Sequence, residues 1–182
     1  PKDVRNKGLK ITVSTSILVP KPFTPFQWAP MARPEIVDER IKAVRGAIKS
    51  RSIVYNYHEQ ETSFMEAVFA RGDRRTCDVL IKAFEKGAKF DGWSEYFNME
   101  IWNEAMEECN LDSEFYVYRE REYDEILPWD FIDIGVNRKY MERENEKAKK
   151  AELTKNCLEG CTGCGINVNF KEGKCFEGAI RN

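Results

Sequence analysis

The sequence predicts an α+β protein that is mainly helical. Three observations predict this class: a β-branched run near the start, a series of apolar stripes at helical spacing, and only short further segments with strand character. The chain has 182 residues, enough for one hydrophobic core or for one core with a small appendage. No apolar run approaches the roughly 20 residues that a membrane span needs, so we expect no membrane contact.

The first predicted element is a strand over 8–19 (GLKITVSTSILV), because this segment is rich in β-branched residues. Pro20, Pro22 and Pro25 follow, and together they exclude both a helix and a central strand there. The segment 20–28 is therefore predicted to be an ordered loop that carries aromatic side chains. Because one strand cannot bury itself, we expect its sheet partners to lie elsewhere, with residues missing from this chain as one source.

Helices are predicted over five further segments: 34–50, 63–71, 73–87, 97–109 and 138–151. Pro34 suits a first helical position, Gly72 a helix stop and Asp73 an N-cap. The segment 52–57 is predicted to be a short strand and 115–118 to be extended.

Two of these helices carry a specific prediction about burial. In the helix over 73–87, Leu80, Ile81 and Phe84 are predicted to form the buried face. The helix over 138–151 is highly charged with a thin apolar stripe, so it is predicted to lie on the surface.

Four clustered cysteines give the strongest chemical signal: Cys157, Cys161, Cys164 and Cys175. Thiolates at the spacing C-x3-C-x2-C-x10-C can converge on one soft metal centre. Two paired ligand arms suit zinc, whereas three close cysteines suit an iron–sulfur cluster, so both remain open. The alternative is four free thiols in a flexible tail.

Charge and cysteine usage bear on the compartment and on partners. The chain opens at Pro1 without an initiator Met and without a signal peptide, so we expect a piece of a longer, cytoplasmic protein. In a reduced compartment, metal binding fits six cysteines better than a disulfide framework does. A net charge of −2 gives no global positive field for nucleic acid.

Several other side chains are weaker candidates for substrate contact: Phe23, Phe26, Trp28, Arg71, Arg74 and Arg75. The aromatic residues could line the mouth of a substrate site or seal a domain junction. Arginines at the start of a helix can bind an anion, although a helix stop and an N-cap also account for this segment. His58 is the only histidine, and a surface position explains it better than a ligand role.

Several stretches resemble one family. Residues 16–28 (SILVPKPFTPFQW) resemble the last part of the barrel in radical S-adenosylmethionine (SAM) proteins that carry an N-terminal cobalamin-binding domain. Further stretches resemble, in the same order, the C-terminal region of an uncharacterised branch of that family: 68–75 (VFARGDRR), 90–97 (FDGWSEYF), 127–136 (LPWDFIDIGV) and 161–165 (CTGCG).

The resemblance implies a C-terminal fragment of a radical-SAM iron–sulfur oxidoreductase. The cobalamin domain, the catalytic 4Fe-4S cluster loop with its SAM site, and most of the barrel would lie upstream in the same polypeptide. This fragment alone would be inactive, with an accessory, substrate-handling and metal-binding role. Cys157, Cys161 and Cys164 share the spacing of the family's catalytic motif, but Gly163 stands where an aromatic residue is usual and too little chain follows for a barrel. The resemblance does not give the substrate; by analogy with related radical-SAM branches that modify tRNA or ribosomal protein, we expect a tRNA or a protein.

On this basis three domains are expected: the terminal strand and loop of an incomplete barrel (1–30), a helical accessory domain (31–150), and a cysteine-rich metal-binding tail (151–182). The competing hypothesis is a free-standing, metal-stabilised module that binds RNA. It rests on the cysteines beside a group of basic residues: Arg138, Lys139, Lys147, Lys149 and Lys150.

Overall fold

The computed structural model describes residues 9–170. These residues form an α+β, mainly helical protein, which confirms the predicted class. They divide into two compact units. Unit 1 contains residues 9–19 and 31–119, and unit 2 contains residues 20–30 and 120–170. The expected domains 1–30, 31–150 and 151–182 have different bounds and stay a prediction, and the predicted ligand Cys175 lies outside the described residues.

Unit 1 contains a two-stranded parallel sheet. Strand β1 (Ile11–Thr15) pairs with β2 (Ile53–Tyr57), with Ile11 opposite Ile53 and Thr15 opposite Tyr57. The first strand is shorter than the predicted 8–19. Its partner is the predicted strand over 52–57, so the sheet partner does lie elsewhere in this chain, and this edge needs no residues from outside it. The sequence did not predict which strand pairs with β1, because a β-branched pattern indicates a strand but does not identify its neighbour in the sheet.

Five helices complete unit 1: α1 (Pro34–Ala47), α2 (Gln60–Arg71), α3 (Thr76–Glu85), α4 (Met99–Glu108) and α5 (Ser113–Val117). The first four confirm predicted helices. The prediction that 115–118 is extended is wrong. Asp112 caps α5, and its Oδ1 accepts a hydrogen bond from the Phe115 amide at 3.1 Å, which stabilises a helix there.

Helix α3 buries a different face from the one predicted. Val79 and Ala83 are fully buried, whereas Leu80, Ile81 and Phe84 are 50%, 53% and 62% exposed. The helix is apolar on much of its circumference, so its pattern alone did not define the inner face. The smaller residues lie inside because α3 packs against α4, and small side chains let two helices approach closely.

The core of unit 1 is built from side chains of α2, α3, α4 and α5 together with the residues that flank the sheet. Its fully buried or nearly buried members are Val19, Met31, Met65, Ala67, Val68, Val79, Ala83, Trp102, Ala105, Met106 and Val117. On α4 the inner face is formed by Trp102, Ala105 and Met106, which are all buried.

Unit 2 is built differently. It contains a 3₁₀ helix (Pro25–Trp28), the charged helix α6 (Arg138–Lys149), a single-turn helix α7 (Ile166–Asn169) and long connecting loops. Helix α6 confirms the predicted surface helix. Four buried side chains form its core: Trp28, Leu127, Trp129 and Met141. No helix within residues 9–170 is long and apolar enough to cross a membrane.

Candidate functional site

The cysteine segment follows α6 in unit 2. Cys157 and Cys161 are exposed, and Cys164 is half-buried. Gly165, directly after Cys164, has a φ of 101° and lies so close to Asn137 that an added Cβ would meet its side chain at 2.6 Å. Only glycine combines this backbone conformation with that approach, so Gly165 fixes the end of the loop against the start of α6.

Three hydrogen bonds fasten the loop 161–164 to α6 and its N-cap. The Asn137 amide donates to the Cys164 carbonyl at 2.8 Å, and Arg143 Nη2 donates to the Thr162 carbonyl at 2.6 Å. The Thr162 hydroxyl also lies 3.4 Å from the Tyr140 hydroxyl. Helix α6 and its N-cap therefore hold the cysteine segment through two backbone carbonyls and the Thr162 hydroxyl, and none of these three bonds involves a thiol.

The described thiols do not form a ready-made metal centre. Within residues 9–170 no three His, Cys, Asp or Glu side chains lie close enough together to hold a metal ion. Cys157, Cys161 and Cys164 thus do not converge in this structure. A four-cysteine site that includes Cys175 stays a prediction, and so does the choice between zinc and an iron–sulfur cluster.

The three aromatic candidates occupy distinct environments in unit 2. Trp28 is 1% exposed and packs edge-on against Tyr123, with 5.0 Å between the ring centroids. It is part of the core and cannot touch a substrate in this conformation. Phe26 is exposed, and Phe23 lines a surface pocket of about 480 Å³.

Polar groups of that pocket bind one another. The buried Gln27 accepts hydrogen bonds on Oε1 from Trp129 Nε1 at 2.7 Å and from the Phe23 amide at 3.1 Å. Arg138 donates to the carbonyls of Tyr123 and Glu125, each at 2.8 Å, and to Asp130 at 2.7 Å. Because these donors and acceptors already have partners, they serve to fix the loops of unit 2.

Two of the three candidate arginines, Arg71 and Arg75, are engaged within unit 1. Arg71 is fully buried; its Nε donates to the Tyr116 carbonyl at 2.7 Å and its Nη2 to the Arg119 carbonyl at 3.2 Å. Through these bonds it joins the end of α2 to the segment around α5. A phosphate in solvent cannot reach this guanidinium without unfolding that junction.

Arg75 and Asp73 form a second arrangement beside it. Arg75 binds both oxygens of Asp73, with Nη2 2.7 Å from Oδ2 and Nε 3.0 Å from Oδ1, and the Tyr116 hydroxyl donates to Oδ2 at 3.0 Å. The Arg75 hydrogen bond, the largest cause, holds the pKa of Asp73 well below its usual range. Arg74 is exposed, and it is the candidate arginine best placed to meet a ligand.

The basic residues proposed for RNA contact are mostly close to carboxylates. Lys147 lies 3.2 Å from Glu144, and Lys149 lies 3.2 Å from Glu120 and 3.4 Å from Glu146. Such neighbours cancel much of the positive potential that a phosphate backbone would need. RNA binding stays a prediction without support from this helix.

Comparison with known proteins adds no family. No family model matches the chain, and neither a curated protein nor a solved structure does. The resemblance to radical-SAM proteins is therefore a prediction from the sequence motifs.

A second pocket, in unit 1, was missed by the sequence reasoning. Its walls include Phe64 and Tyr118, and its rim includes Glu61 and Glu114. These residues come from α2, from α5 and from the residue after α5. No local motif links them, so only the packing of the helices brings them together.

Proposed function

We propose that this chain is the C-terminal region of a radical-SAM iron–sulfur oxidoreductase. The cobalamin-binding domain and the catalytic cluster loop would lie upstream in the same polypeptide. The described units would then have an accessory, substrate-handling role, with a tRNA or a protein as substrate. The proposal rests on the ordered motifs in the sequence and on one structural observation, the exposed parallel sheet.

The sheet of unit 1 supports the proposal because it has only two strands and its apolar side chains are exposed to solvent. Parallel sheets are almost always buried on both faces, and a pair of strands rarely forms an independent layer. Here Ile11, Val54 and Tyr57 are 47%, 49% and 37% exposed. Added strands of a barrel would continue the hydrogen-bonding ladder and cover these side chains.

The tail cysteines form the second part of the proposal. Cys157, Cys161, Cys164 and Cys175 would bind zinc or an auxiliary iron–sulfur cluster once the loop closes around the metal. This requires a rearrangement, since the three described thiols do not converge. Anaerobic preparation followed by elemental analysis tests it: stoichiometric metal that is lost in Cys161→Ser supports the site, and reduced protein without metal contradicts it.

The test of the enzyme proposal compares two polypeptides. The first is this chain; the second is the longest open reading frame that continues it upstream. Both are reconstituted anaerobically with iron and sulfide, reduced, supplied with SAM, and assayed for 5′-deoxyadenosine and methionine. We expect product from the longer polypeptide only, together with an upstream CxxxCxxC motif. Multiple turnovers by the short chain, or a reading frame without that motif, would contradict the proposal.

A further inference from the structure

The second pocket in unit 1 has a volume of about 480 Å³ and lies among α1, α2, α4 and α5. This volume is in the range of small-molecule sites, roughly 300–1,000 Å³. We propose that the pocket binds an organic cation, that is, an ammonium or guanidinium group carried on an apolar body. The proposal does not depend on the radical-SAM assignment, because its test uses this chain alone.

The walls of the pocket suit the apolar body. Phe64 and Tyr118 stand side by side, with 5.8 Å between their ring centroids and 36° between their planes. Met31 and Met99 contribute flexible thioether chains to the same lining. Aromatic faces attract cations as well as apolar groups, so these walls can hold both parts of such a ligand.

The rim of the pocket is acidic. Glu61 and Glu114 both line it. The carboxylate of Glu61 has no hydrogen bond or ion pair with any of the residues 9–170, so it is available to a ligand. The pKa of Tyr118 is raised by burial and, next, by the charge of Glu114; the charge of Arg33 lowers it, and that of Glu35 raises it slightly. Glu114 and Glu35 therefore favour a cation beside Tyr118, and Arg33 is the group that opposes a second one.

The chain already places a cation of its own at this position. The guanidinium carbon of Arg33 lies 4.8 Å from the centroid of the Tyr118 ring, and Arg33 Nη1 lies 3.7 Å from Glu114 Oε2. The Arg33 side chain is 56% exposed, so it can swing into solvent at little cost. We infer that a ligand cation competes with Arg33 for Tyr118 and Glu114.

Methionine methyl groups offer a direct readout. Met31, itself a buried core residue, and Met99 line the pocket, whereas Met65, Met106 and Met141 do not. Protein labelled with ¹³C in the methionine methyl groups is titrated with benzyltrimethylammonium, benzyl alcohol and benzoate. We expect the ammonium probe alone to shift Met31 and Met99 in a saturable manner, with the other three signals unchanged.

Each other outcome of this titration overturns the proposal. Equal shifts with benzyl alcohol would show an apolar groove without charge selection. Stronger shifts with benzoate would show that Arg33 recruits an anion. No saturable shift with any of the three probes would show that the pocket has no affinity for this class of ligand.

Two substitutions separate the cation from the anion interpretation. Glu61→Gln removes a rim charge and should weaken binding of the ammonium probe about fivefold, as expected for a partly exposed ion pair. Arg33→Gln removes the internal competitor and should strengthen binding severalfold; a loss of binding would overturn the proposal. Arg33 is the N-cap of α1 but its side chain makes no cap bond, so its replacement leaves the helix intact.

Glu107→Gln is the matched control. Glu107 is an exposed carboxylate on α4 that does not line the pocket. Glu107→Gln changes the net charge by the same amount as Glu61→Gln does. If this control also weakens binding of the ammonium probe fivefold, the effect of Glu61→Gln comes from the overall charge of the protein, and the assignment to the rim is overturned. Unchanged Met65 and Met106 signals verify that each variant is folded.

Discussion

The two units hold themselves together in different ways. Unit 1 buries many small and medium side chains between helices, among them Ala67, Val68, Val79 and Ala105. Unit 2 buries two indole rings, a leucine and a methionine, and ties its loops to them with hydrogen bonds such as the one from Trp129 to Gln27. Stability is thus spread over many contacts in unit 1 and concentrated in a few in unit 2. A single core substitution should therefore lower the free energy of unfolding more in unit 2 than in unit 1.

The largest effect is expected for Trp28→Ala. Trp28 is almost fully buried in the core of unit 2, and loss of such a ring leaves a cavity that costs about 3–5 kcal/mol. Urea unfolding measures the loss, and amide exchange should rise first in 138–149. Phe26→Ala is the control, since Phe26 belongs to the same 3₁₀ helix but is exposed. Equal losses in both variants would show that the indole core does not dominate unit 2.

In unit 1 the largest loss of stability is expected from replacing a polar residue, Arg71. Arg71→Met keeps the apolar stem but leaves the carbonyls of Tyr116 and Arg119 without this donor, which should cost about 2–3 kcal/mol. Arg74→Met is the matched control, because Arg74 lies three residues away and is exposed. Denaturant unfolding checks both. A neutral effect of Arg71→Met would mean that water or another side chain replaces the guanidinium.

The contrast between the two faces of α3 gives a smaller effect. Val79→Ala removes two buried methyl groups and should cost about 2 kcal/mol, whereas Leu80→Ala removes a larger but half-exposed side chain and should change stability by less than about 0.5 kcal/mol. Thermal unfolding of the two variants measures the difference. A larger loss of stability in Leu80→Ala than in Val79→Ala would indicate that the face predicted from the sequence is the buried one.

The smallest effect concerns pH. Since the folded state lowers the pKa of Asp73 below the ordinary 3.8, its contribution to stability is complete above that value and is lost as the pH falls further. Asp73 is partly exposed and screened by solvent, so the contribution is on the order of 1 kcal/mol. Urea unfolding at pH 6 and pH 2.5 should show a smaller acid-induced loss in Asp73→Asn than in the wild type. An equal loss would place the acid sensitivity in other carboxylates.

The sequence predicted elements better than contacts. Apolar spacing, Pro34 and the glycine after α2 were sufficient to predict α1 to α4 and α6, because these are local properties of the chain. The capping of α5 by Asp112 was also local, but the aromatic and β-branched residues that follow it favoured an extended interpretation. The inner face of α3 depends on which helix packs on it, and that is a tertiary property.

The sites follow the same rule. The cysteine cluster is visible in the sequence because its members are close in the chain. The pocket with Glu61 and Tyr118 is not, because its residues are separated by more than one helix. The structural role of Arg71 had one signal in the sequence. Arg71 follows the apolar residues Val68, Phe69 and Ala70, and an arginine at the end of an apolar run favours burial and a structural role over contact with a ligand.

The exposed parallel pair has a practical consequence for handling the protein. Within the described residues, β1 and β2 pair only with each other, so each strand leaves one edge without a strand partner. Open edges with apolar side chains recruit further strands from other molecules. A concentrated sample of this chain should therefore become turbid while its helices are still folded, and charged substitutions at Ile11 or Val54 should raise the concentration at which this begins.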